Sequence, residues 1–200
     1  MTDSAATSRF DEAILRFDEA NSGDPHRERI AGVDVPRELL YARRLTERVL
    51  ALAPAASEAL RLAARCQHLC RWEVPRDSYP GDRAGYLRWR RDLQQIHARK
   101  SGEILAAVGY DAATIARVQA LNLKKDLGRD PEMQVLEDAL CLVFLEHQLS
   151  ELILKADEDK VVNALRKSWG KMSEAGRAAA LKLNLAERER ELLTKALSPE

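Results

Sequence analysis

Residues 71–91, RWEVPRDSYPGDRAGYLRWRR, carry six arginines together with Trp72, Tyr79, Tyr86 and Trp89, in a chain whose aromatic content is 5%. Guanidinium groups grip phosphate oxygens in pairs and aromatic rings stack on flat faces, so the combination suits a ligand that is anionic and planar. His68 stands before this block and His97 after it, and Glu137-Asp138 precedes an apolar run further on. Neutral imidazoles and a carboxylate form a ligand set for a borderline divalent cation, which makes a nucleophile of bound water at neutral pH. On this reading His68, His97 and Asp138 hold a divalent metal ion and Glu137 is the general base. Arg65, Arg71, Arg76 and Arg90 clamp a phosphate, Lys124 adds a point charge from its loop, and Trp72 or Tyr79 stacks on a base.

Each of these residues also has a plainer reading. A single inward histidine is commonly a buried ring bonded to a carbonyl or carboxylate. Ala139 to Leu145 are all apolar, so Glu137, Asp138 and Glu146 sit where carboxylates need partners, and arginine salt bridges are the structural alternative. Asp138 and Glu146, eight residues apart, lie about 12 Å apart on a helix and cannot share one ion. Cys66-x-His68-x-Cys70 resembles a zinc motif, but on a helix the two sulfurs point away from the imidazole. Trp89 and Trp169 read as packing residues, and residues 187–191 as a solvated charged face.

The elements that position these groups read as helices throughout, because apolar residues recur at three- and four-residue spacing and no stretch alternates as a half-buried strand does. The first helix is striped by Phe10, Ile14 and Phe17, capped by Ser8 and ended by Asn21-Ser22-Gly23-Asp24-Pro25. A second starts at Pro36 and runs to about Ala53, and a third covers about 56–71. Pro75 and Tyr79-Pro80-Gly81 force a loop. Asp82 then caps a long helix to about Val108, ended by Gly109. In it Tyr86, Arg90, Leu93, His97 and Ile104 form one inward stripe. Asp111 starts a helix to about Leu123, and Asp130-Pro131-Glu132 one to about Lys155. Asp157, Ser173 and Asn184 cap three more, the last with Glu187 at capping-box spacing. The expectation is an all-α, single-domain multi-helix bundle over 1–200, with its core at about 8–197.

Charged and hydrophobic fractions of 32% and 46% are those of a globular protein, and the formal net charge is zero. Such a chain lacks long-range attraction to nucleic acid, so phosphate recognition rests on a local cluster, and a nucleic-acid partner is possible but not favoured. The start, MTDSAATSRF, has neither a basic beginning nor an apolar run, and no apolar stretch approaches the roughly 18 residues of a membrane span. A cytoplasmic protein without a membrane partner is expected. Three cysteines in apolar patterns read as reduced core residues.

The order of blocks resembles a family known only as domain of unknown function 4202. The resemblance is carried by Ala63-Ala64-Arg65-Cys66-Gln67-His68, Arg71-Trp72, Pro75-Arg76, Tyr79-Pro80, Arg83, Gly85-Tyr86-Leu87, Trp89-Arg90 and His97-Ala98. Leu136-Glu137-Asp138, Cys141 to Glu146 and Trp169-x-Lys171-Met172 extend it, so that it runs from about Phe10 to about Leu197. A looser similarity links residues 62–68 to the helix that carries the His-Asp pair of HD-type phosphohydrolases, though this chain has no His-Asp dipeptide. That similarity implies an HD-like helical fold and a metal-dependent activity. Two functions follow as expectations: a metal-dependent hydrolase of a phosphate ester or nucleotide-like anion, or a non-catalytic helical module that binds a phosphorylated ligand or RNA through its arginines and aromatics.

Overall fold

The computed structural model describes residues 8–198; residues 1–7, which include most of the segment read above for targeting, lie outside the described residues. The chain is built almost wholly from helices: α1 (Arg9–Ser22), α2 (Arg37–Leu52), α3 (Glu58–Cys66), α4 (Arg83–Val108), α5 (Ala112–Asn122), α6 (Pro131–His147), α7 (Leu149–Lys155), α8 (Glu158–Lys171), α9 (Glu174–Ala180) and α10 (Glu187–Leu197). An all-α fold is therefore observed. None of the described helices is long and apolar enough to cross a membrane.

One hairpin departs from the helical expectation. Strands β1 (Arg27–Ile30) and β2 (Val33–Pro36) pair antiparallel, with Arg27 opposite Pro36 and Ile30 opposite Val33. Ala31 and Gly32 take positive φ, 49° and 85°, as a two-residue loop between right-twisted strands requires. Pro36 thus closes β2, and α2 begins one residue later. The buried Asp24 clamps the base: its carboxylate accepts from the His26 N–H at 2.9 Å and from the Glu38 N–H at 3.0 Å, satisfying a free donor at the start of α2.

The contacts group the described residues into two compact units, one of residues 8–47 and 55–125, the other of residues 48–54 and 126–198. In the first, α5 packs on α3 and α4, and α1 on the same two helices. Phe17, Leu60, Leu62, Leu69, Leu105 and Leu121 are fully buried there. Ser8, Ser57, Asp82 and Asp111 each accept a backbone N–H from the first turn of the helix they precede, and Gly109 ends α4 at φ 90°. The expected third helix stops short. It ends at Cys66, and residues 67–82 run as turns, two short 3-10 segments and a loop.

In the second unit α6 packs on α7, α8 and α9, and α8 on α10. Leu142, Leu145, Leu149, Val161, Leu165 and Leu192 form its core. The helix expected to run to Lys155 is interrupted at Gln148, whose φ and ψ are −124° and −15°. The final helix starts two residues later than Asn184 would place it. Glu189, not Glu187, reaches back to the backbone N–H of Ala186 at 2.8 Å, and that bond sets the start.

Candidate functional site

His68 lies just past the end of α3, in the turn of residues 67–70. Cys70 takes a left-handed conformation, φ 54°, and its N–H is caught by the side chain of the fully buried Asn21 at 3.0 Å. The other end of that amide reaches the carbonyl of Glu38. The polar break that ends α1 therefore bolts the segment after α3 to the start of α2.

Across this bolt, His68 Nδ1 lies 3.2 Å from Glu38 Oε2 and its Nε2 lies 3.1 Å from an Nη of Arg71. A guanidinium only donates, so Nε2 must accept and Nδ1–H must donate to Glu38. One helical turn beyond Glu38, Tyr41 stacks on the imidazole, with centroids 4.0 Å apart and planes within 7°. His97, from α4, brings a second ring 5.9 Å from the first. Its Nδ1 donates to the carbonyl of Leu69 at 2.9 Å, which fixes the tautomer and leaves a lone pair on Nε2. That Nε2 is buried and has no partner among the described residues. Arg71 lies over the ring of Trp89 at 4.9 Å, while Trp89 Nε1 donates to the Val74 carbonyl.

The electrostatics are set by burial under a positive field. Burial, then Arg71, Lys124, Arg90 and Arg37, hold the His68 pKa well below that of free imidazole. Burial and the neighbouring His68 take His97 down to about 3. Burial pushes the Glu38 carboxyl up to about 7, against the pull of Arg71. Both rings are neutral at physiological pH, and Glu38 is poised near its midpoint.

His68, His97, Arg71, Arg90 and Lys124 thus share one neighbourhood, joined by Glu38 and Tyr41, which had not been singled out. Arg90 and Tyr86 are exposed; the inward stripe of α4 consists of Gly85, Trp89, Leu93 and His97. The other arginines are committed to the fold. Arg65 forms a two-pronged pair with Asp18, both contacts at 2.7 Å, and Arg76 donates to the carbonyls of Tyr79 and Pro80. Tyr79 donates to Asp92, and Trp72 is half-buried, in reach of Gly23.

Glu137 and Asp138 belong to the second unit and are buried. Lys171 approaches Glu137 at 3.3 Å. Asp138 accepts from Gln134, from the backbone N–H of Ser173 at 2.8 Å and from the Ser173 hydroxyl. Its partner Ser173 in turn caps α9. Among the described residues no three His, Cys, Asp or Glu side chains converge as a metal site requires.

No curated protein and no solved structure matches the chain. A family model does match, described as a domain of unknown function (DUF4202), over residues 11–193. That span takes in α1 through most of α10, with the whole Glu38–His68–Arg71–His97 cluster inside it, and so the chain belongs to the DUF4202 family.

Proposed function

We propose that the Glu38–His68–Arg71–His97 cluster binds a small phosphorylated anion. The observation that carries this reading is the poor compensation of Arg71. Its guanidinium rests against a neutral imidazole nitrogen, and the carboxylate near it, Glu38, stands off at 3.8 Å and is half protonated near neutrality. Arg90, which adds to the same positive field, has no carboxylate partner among the described residues. Guanidinium groups so placed favour a phosphate, which brings the charge and the acceptor oxygens that they lack.

Calorimetric titration with inorganic phosphate and adenosine 5′-monophosphate tests the reading. Binding should weaken with salt, fall roughly tenfold or more in Arg71→Ala through loss of a charge-assisted hydrogen bond, and fall less in Arg90→Ala. Arg65→Ala, which breaks the pair with Asp18, should lower stability and leave affinity unchanged. Wild-type protein that binds neither probe refutes the proposal.

Metal-dependent hydrolysis is the second reading, favoured by the unpartnered Nε2 of His97. The remaining donors do not fit an ion as they stand: both ring nitrogens of His68 are engaged, and so are both oxygens of Asp138. Elemental analysis of the purified protein decides it: a stoichiometric divalent ion that disappears in His97→Ala supports hydrolysis, and its absence removes that reading.

A further inference from the structure

Resting on the anion-binding reading, we infer that the ligand is a hydroxylated phosphomonoester whose hydroxyl donates to Nε2 of His97. His97 Nε2 is an acceptor without a donor among the described residues. Leu69's carbonyl takes the proton side of the ring, so Nε2 presents a lone pair, and the group is 3% exposed. No described side chain or backbone N–H reaches it. A buried acceptor left this way is costly, and the cost is recovered by whatever brings a donor.

The surroundings restrict that donor. An ammonium is disfavoured, because Arg71 already makes the field at the His97 ring positive by more than Glu38 offsets. The phosphate cannot serve either. Its second ionisation, near pH 6 in water, is driven lower beside guanidinium groups, so it arrives as a dianion with acceptors only. The donor is then neutral and sits on the organic part of the ligand. A hydroxyl meets both conditions.

The geometry also limits its distance from the phosphate. Arg71 and His97 both flank the His68 ring, Arg71 at hydrogen-bonding distance from Nε2 and His97 with its centroid 5.9 Å away. Both groups border one ring, which calls for a hydroxyl on a carbon close to the phosphoester. Entry is past Arg71, whose side chain is the more exposed of the pair it forms with Glu38, at 31% against 12%.

Glycerol 3-phosphate and n-propyl phosphate make a matched test, because they share charge and chain length and differ in hydroxyl groups. At pH 7.5 the wild-type protein should bind glycerol 3-phosphate about tenfold more tightly, the scale of one buried hydrogen bond. His97→Leu should erase that preference and keep the affinity for n-propyl phosphate, while His97→Gln, which retains an acceptor, restores part of it. Thermal melting of each variant shows whether the fold survives; the wild-type preference needs no variant at all. Equal binding of the two esters by wild type overturns the inference and leaves anion binding standing, with a trapped water as the donor to His97. No binding of either ester overturns both.

Discussion

Lowering the pH from 6.5 to 4.5 should destabilise the protein by an amount that the His68–His97–Glu38 cluster sets. In the unfolded chain both imidazoles bind protons across this window and Glu38 binds none, from their ordinary values of 6.5 and 4.5. In the folded chain the order is reversed: His97 stays neutral to about 3, burial and the nearby Arg71 hold His68 well below its ordinary value, and Glu38 keeps its proton up to about 7. The two histidines, lowered in the fold, contribute stability present above 6.5 and lost as the pH falls. Glu38, raised in the fold, contributes stability present below 4.5 and lost as the pH rises through 7. On unfolding His97 takes up one proton and Glu38 releases one, and His68, held low in the fold, adds an uptake of at most one, so the net uptake is at most one. Stability therefore rises with pH by at most about 1.4 kcal/mol per unit, an upper figure of roughly 3 kcal/mol across the window. Above 6.5 only Glu38 still acts, and the slope changes sign, which puts the maximum near that pH. Asp111, Asp157 and Glu158 have lowered values and act only below the window. Urea unfolding followed by circular dichroism in half-unit steps measures the slope. His97→Leu removes the His97 uptake, and its curve should be flat or fall toward pH 6.5. A wild-type curve that is flat or falls toward pH 6.5, or a variant with the wild-type slope, refutes the reasoning.

Two further substitutions test how the elements are held. An added methyl at Gly176 would lie 2.5 Å from Cγ of Asp138, so Gly176→Ala should cost about 1–3 kcal/mol despite alanine's better helix propensity; a urea midpoint at or above wild type would contradict the close approach of α9 to α6. Asn21→Ala strips the Cys70 N–H of its acceptor in a buried place, which should lower stability by about 1–3 kcal/mol and weaken phosphate binding together; unaltered affinity would show that the bolt does not position His68.

Helices were legible where the signal is local. Ser8, Asp82 and Asp111 announce starts by residue type alone, and each side chain accepts the backbone N–H expected of a cap. The hairpin was not legible, because Arg27–Ile30 and Val33–Pro36 are largely exposed and so lack the apolar alternation that marks a strand. What marked it was the turn: Ala31-Gly32 at hairpin spacing, with β-branched residues on both sides. The early end of α3 was hidden for a different reason. Apolar spacing continues through Leu69 and Cys70, but a distant side chain, Asn21, holds the backbone of Cys70 in a left-handed conformation that no local pattern encodes.

The site divides along the same line. His68, His97 and Arg71 stand out by residue type, and the structure brings them together. Glu38 gave no such signal, since a glutamate in a first helical turn reads as a dipole-compensating surface residue. What makes it different is tertiary. Asp24 and Asn21 seize its backbone, Tyr41 one turn on covers the imidazole it faces, and burial lifts its carboxyl to about 7. Glu137 and Asp138 stand out by residue type as paired acids beside an apolar run, and the structure supplies partners for both. The Asp138 carboxylate collects donors from Gln134 and Ser173, and Ser173 starts the next helix, so its burial is accounted for by the architecture of α6 and α9. The same test separates the arginines: Arg65 faces a firm carboxylate at 2.7 Å and is satisfied, whereas Arg71 faces a neutral ring and a wavering acid. A charged side chain with an adequate partner holds the fold; one whose partner is inadequate is where an incoming anion gains most.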